Sequence, residues 1–145
     1  MATLKMERNF SSPPAHVFEF ITQTANLLEW WGPPGTRIED HNLDFSKAGP
    51  WWAYMVGPQG HGARVQGAVV DINPPHWVEL TLGFADEGNG VGEESLIRFE
   101  VKSDGKGGTD FYLTQSGLQT EHIEDMRNKG WNAAFDRLRI LIETN

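Results

Sequence analysis

Between residues 119 and 143 the chain has no proline, and apolar side chains recur every three or four positions: Ile123, Met126, Trp131, Ala134, Phe135, Leu138, Leu141 and Ile142. That spacing puts them on one stripe of an α-helix. At ~1.5 Å per residue the helix would be on the order of 35 Å long, enough to cross a whole sheet. A stripe of that length must be buried, so the rest of the chain has to supply a matching apolar surface. Gly130 stands near the middle of the helix, at a cost of about 1 kcal/mol relative to Ala. It reads either as a bend or close-contact point, or as simple tolerance.

The preceding residues supply the surface. Val78, Leu80, Leu82 and Phe84 alternate with polar residues; so do Ile97, Phe99 and Val101, and again Phe111 and Leu113. A period of two in consecutive segments indicates antiparallel strands with one buried and one wet face. Two more strands are read at 51–56 and about 62–72, separated by the turn Gly57-Pro58-Gln59-Gly60, and Asn73-Pro74-Pro75 breaks the second of them. Residues 85–94 form a Gly- and acid-rich loop, and Ser103 to Gly108 a hairpin turn. Residues 3–10 make a first strand. Ser11-Ser12-Pro13-Pro14 marks a helix start, with Ser near the N-cap and Pro in the first turn. A second short helix runs from Asn26 to Trp31 and ends at Gly32-Pro33-Pro34-Gly35. No linker or repeat divides the chain, so residues 1–145 are read as one domain: an α+β fold with a curved antiparallel sheet of about six or seven strands around the C-terminal helix.

Charge and composition narrow the function. Lys and Arg number 12 against 20 Asp and Glu, a net charge of −8, which repels phosphate backbones and argues against nucleic acid as a partner. No apolar run approaches the roughly 20 residues a membrane-spanning helix needs. There is no Cys, so disulfides and thiolate chemistry are excluded. Without a signal segment the expected location is cytoplasmic. The five His, at 16, 41, 61, 76 and 122, form no His-x-x-x-His pair, and neither a metal nor a cofactor is expected. Six Trp and eight Phe are many for this length, and fit either a dense core or an aromatic-lined pocket.

Several segments together are familiar. Phe10-Ser11-Ser12-Pro13 with Val17-Phe18, then Glu29-Trp30-Trp31-Gly32-Pro33, then Gly49-Pro50-Trp51 with Met55 to Gly60, occur in that order. Gly67 to Pro75, Leu113-Thr114-Gln115, and Gly130-Trp131 with Phe135-Asp136-Arg137-Leu138 follow. In this the chain resembles the START-like (SRPBCC, helix-grip or birch-pollen-allergen-like) superfamily, and within it the family named for the activator of heat-shock protein 90 ATPase, homologue 1-like. The resemblance implies a cavity between helix and sheet rather than a reaction, because similar folds host carriers, cyclases, hydrolases and cochaperone domains.

Candidate residues follow from both sources. Trp31 would stand at the pocket mouth, and Trp51, Ala53 and Met55 would face inward if the family register holds. Trp131 and Phe135 lie on the helix side facing the sheet, with Met126 on the same stripe; Val69 and Phe84 supply sheet positions. His61, after the Gly57–Gly60 turn, could reach the mouth. Trp52 and Tyr54 would face outward, as the surface of a homodimer. Asp71 reads as a structural acid, and Arg64 and Gln66 face the cavity or solvent depending on whether a bulge near Asp71 shifts the register. No Gly-x-Ser-x-Gly elbow is present, and Gly88 to Gly92 is followed by no helix that could hold phosphate. The expected function is binding of a small apolar or amphipathic ligand in a cavity of ~300 Å³ or more, with no catalytic residue assigned. The alternatives are a cyclase- or hydrolase-type enzyme, which needs two polar groups converging in the cavity, and a chaperone-interacting module.

Overall fold

The structure is a computed structural model. It describes residues 2–32, 35–86, 90–91, 94–118 and 121–144; within these, the side chains of residues 2, 85–86, 90–91, 121–124 and 126 lie outside the description. The elements in chain order are β1 (Ala2–Phe10), α1 (Pro14–Thr22), α2 (Thr24–Trp30), β2 (Arg37–His41), β3 (Gly49–Val56), β4 (Gly62–Asn73), β5 (Trp77–Asp86), β6 (Gly90–Val91), β7 (Ser95–Ser103), β8 (Thr109–Leu118) and α3 (Glu121–Thr144). The sheet order is β1-β8-β7-β5-β4-β3-β2, every pairing antiparallel, with the short β6 folded back on β5. This is an α+β fold in which α3 lies across one face of a curved seven-stranded sheet.

The alternating segments become strands with one buried face. In β7 Ile97, Phe99 and Val101 are buried, and in β8 Phe111 and Leu113. The helix stripe meets them: Phe135 and Leu138 are buried in α3, and the Phe111 and Phe135 rings meet edge to face at 5.1 Å.

Three local details are refined. Ser12 stands next to the N-cap of α1, which is Pro13, and Pro14 is in the first turn as expected, but no side chain caps the helix. Ser12 is instead buried, and its carbonyl accepts from the Thr109 hydroxyl at 2.6 Å. The strand β2 has no counterpart in the sequence reading. Arg-Ile-Glu-Asp-His has one apolar residue in five and no fully buried position, with only Ile38 packing partly on the core, so no alternation marks it as a strand. Gly130 is not a close-contact point among the described residues, since a Cβ built on it would meet none of them within 4 Å.

The register of β4 resolves the orientation of its polar residues. The pairing with β5 shifts between Val69 and Asp71, so Val70 and Asp71 both face solvent. Asp71 uses a carboxylate oxygen to accept from the Ile72 amide at 2.9 Å. Arg64 and Gln66 lie on the outer face, bonded to each other at 2.8 Å.

A close approach of β4 and β5 depends on Gly67. The Thr81 carbonyl accepts from the Trp51 indole N–H at 3.1 Å, and the Thr81 hydroxyl accepts from the Ala68 amide at 2.9 Å. A Cβ on Gly67 would fall 1.9 Å from that carbonyl oxygen. Gly67→Ala should therefore destabilise by about 1–3 kcal/mol, lowering the melting temperature by roughly 3–10 °C, as thermal denaturation followed by circular dichroism would show.

Candidate functional site

A pocket of about 260 Å³ lies under the first half of α3, between the helix and the inner face of the sheet. The helix side is small and open: Gly130 and Ala134 flank Trp131. The sheet contributes Met55 from β3, Val65 from β4, Leu82 and Phe84 from β5 and Gln115 from β8. Trp31 and Gly32, at the end of α2, close one side, and Arg127 lies on the lining one helical turn before Trp131.

The end of α2 is fixed by backbone and charge. Trp31 is the C-cap, and Gly32 follows with φ +102°, the left-handed region that favours glycine after a helix. A Cβ there would also lie 2.9 Å from the Thr36 hydroxyl and 3.0 Å from the Met55 sulfur. The Arg137 guanidinium, from α3, donates to the Trp30 carbonyl at 2.9 Å and to the Gly32 carbonyl. Burial pushes the Arg137 pKa below its ordinary value. Two carbonyls at the helix end thus find a cationic donor, and α2 is tied to α3.

Gln115 is the fully buried polar group of the lining. It sits on the inward face of β8 in phase with Phe111 and Leu113, 1% exposed. Its Oε1 accepts from the Trp131 indole N–H at 2.8 Å, and its Nε2 donates to the Ser95 hydroxyl at 2.8 Å. Ser95 in turn donates to the Leu82 carbonyl at 3.3 Å. An indole N–H only donates, so it fixes which end of the amide faces it.

Of the residues expected to line a pocket, Trp31, Met55, Phe84 and Trp131 are brought together here. Trp51, Val69 and Phe135 are not on the lining. They are buried to 1–2% exposure in the core, where Trp51 packs on Phe45 and Trp31, and Phe135 on Phe111 and Trp131. His61 is exposed in the β3–β4 turn, its carbonyl accepting from the Gly57 amide, away from the lining. The Met126 side chain lies outside the described residues, as do most side chains of the 85–94 loop. On the outer face Trp52 is half-buried beneath the Arg64 guanidinium, 4.6 Å from its ring, and Tyr54 is 40% exposed, its hydroxyl lying over Gly62.

Gln115 and Arg127 were not among the sequence candidates, yet both carried a signal. Each is a polar residue in phase with an apolar face: Gln115 with Phe111 and Leu113, Arg127 with Trp131 and Ala134. Arg127 is half-buried, its guanidinium 4.9 Å from the centroid of the Phe84 ring, and burial lowers its pKa from the ordinary value.

A long helix over a curved antiparallel sheet, with a pocket between them, defines a START-like helix-grip protein. The family model described as activator of Hsp90 ATPase homolog 1-like protein matches residues 11–143, and the chain belongs to that family. Among solved structures it is similar to an AHSA1 protein from Silicibacter pomeroyi, at 31% identity over 99% of both chains with a TM-score of 0.92. A protein from Chromobacterium violaceum shares 19% identity, covering 97% of this chain and 96% of that one, with a TM-score of 0.86. One from Rhizobium leguminosarum shares 22% over 99% and 95%, with a TM-score of 0.79. The last two likenesses speak to fold alone. No match is found among curated proteins. Among the described residues no helix is long and apolar enough to cross a membrane.

The hydrogen bonds of Gln115 predict the effect of removing it. Gln115→Leu leaves the buried Trp131 N–H and the Ser95 hydroxyl without their partner, at about 1–3 kcal/mol. Chemical denaturation should show that loss, and the Trp131 emission should shift as its N–H loses its acceptor.

Proposed function

We propose that the protein is a container for a small apolar or amphipathic molecule held between α3 and the sheet. The observation that carries this is the composition of the pocket wall: Trp31, Met55, Val65, Leu82, Phe84 and Trp131 surround the space, with Gln115 held by its neighbours inside it. Apolar walls with a few fixed polar groups are the usual make-up of a small-molecule site. The volume sets the size. A cavity of about 150 Å³ accommodates benzene, and drug-sized ligands need ~300 Å³ or more. At 260 Å³ the occupant lies between the two, smaller than first expected from the sequence.

An enzyme of the cyclase or hydrolase type would need two polar or titratable groups converging in the pocket. The described lining residues offer two polar side chains, Gln115 and Arg127, but Gln115 is committed to Trp131 and Ser95, and Arg127 is the one ionisable group among them. A role on a chaperone is favoured by the description of the family; it would use the outer surface, and an ATPase assay with the chaperone of the same organism tests it without reference to the pocket.

The container function is tested through Gly130. A Cβ there would meet none of the described residues within 4 Å, so Gly130→Ala should stabilise the protein by up to about 1 kcal/mol through helix propensity. Gly130→Leu should fill the pocket. Melting temperature measured against neutral probes from benzene to 3-phenylpropanol should rise saturably in the wild type and stay flat in Gly130→Leu. No rise with any probe, or an equal rise in both proteins, would count against the container.

A further inference from the structure

The pocket lining holds a cation that has no counter-charge among the described residues. Arg37, Arg98 and Arg139 each meet a Glu carboxylate within 3.0 Å, and Arg137 meets two backbone carbonyls. Arg127 has no ion pair among the described residues; its recorded partner is the Phe84 ring. It is nonetheless half-buried on the pocket lining, and burial already weighs against its charged form. A guanidinium stays charged at neutral pH all the same. Taking a cation partly out of water is unfavourable unless something answers its charge, and an aromatic face answers it only in part.

The two polar ends of the pocket differ. Gln115 is 1% exposed and has its carbonyl and one N–H committed to Trp131 and Ser95, so it marks the inner end. Arg127 retains access to water and marks the open side. With the apolar walls between them, the pocket is polarised: a greasy interior with a cationic rim.

We infer that the ligand is a small amphipathic carboxylate, its apolar part among Trp31, Met55, Leu82 and Trp131 and its carboxylate paired with Arg127. This rests on the container function proposed above and adds the charge of the occupant. A planar carboxylate matches the guanidinium fork with two parallel hydrogen bonds. A single cation balances one negative charge, whereas a phosphate monoester carries nearly two and would leave the excess unanswered on a chain whose net charge is already −8.

The test compares 3-phenylpropionate with its neutral amide, 3-phenylpropionamide, by titration calorimetry on the wild type, Arg127→Gln and Arg127→Lys. The carboxylate should bind the wild type about tenfold or more tightly than the amide, as a charge-assisted hydrogen bond warrants. Arg127→Gln should reduce that preference to about twofold or less by weakening the carboxylate alone, and Arg127→Lys should keep part of it. Equal affinity for both probes in the wild type, or an undiminished preference in Arg127→Gln, would overturn the assignment to Arg127 while leaving the container intact. Binding of neither probe would remove both. Thermal melts of the two variants show that they are folded, and the wild-type comparison stands without them.

Discussion

The edge-to-face contact of Trp31 with Trp131, ring centroids 5.6 Å apart, joins the three parts of the molecule. Trp31 ends α2 and also meets Phe45 at 5.2 Å and Trp51 of β3 at 6.0 Å. Trp131 of α3 continues the chain of rings to Phe99 of β7 at 5.8 Å and to Phe135 at 5.5 Å. Each such pair contributes about 0.5–1.5 kcal/mol beyond the burial of its area, and the set reaches from β3 to β7. Arg137 fixes the α2 end of this lattice by holding the Trp30 and Gly32 carbonyls. Gln115 fixes the α3 end by accepting from the Trp131 N–H. The pocket lies beside this pair of tryptophans, so the residues that hold the helix on the sheet also give the site its wall.

Most of the architecture was legible because it rests on periodicity. The alternation in β5, β7 and β8 and the stripe of α3 are one-dimensional signals, and each became the element it implied. The edge strand β2 was silent because exposed residues carry no alternation. The site was less legible for a different reason. Trp51, Phe135 and Trp131 all face inward, and nothing along the chain says which of three inward rings meets another ring and which meets empty space. That depends on where small residues fall on the opposing helix. Gly130 and Ala134 open the space beside Trp131, while Phe135 and Leu138 close it further along. His61 suggested a mouth residue from its place after a turn, but it is exposed and does not line the pocket. Gln115 and Arg127 were hidden by the reverse habit, that of treating polar residues as the wet face without asking which parity they share.

The division of α3 into a packing half and a pocket half bears on what the fold is for. From Phe135 onward the stripe is buried and in contact with the sheet or the short helices. Before it, the helix places a glycine where an alanine would fit with no neighbour among the described residues within 4 Å. Leaving that methyl out forgoes about 1 kcal/mol of helix propensity. A dry void of 260 Å³ would cost on the order of 6 kcal/mol at the rate seen for engineered cavities, a large share of the 5–15 kcal/mol that holds a domain together. Access to water on the Arg127 side relieves part of this, but water gains little from a wall of tryptophan, leucine and phenylalanine. Departures from tight packing of this kind are expected where a sequence serves something besides its own stability. Here the open helix face, the apolar walls and a cation unpaired among the described residues fall in one place, and an occupant with a greasy body and an anionic end would satisfy all three at once.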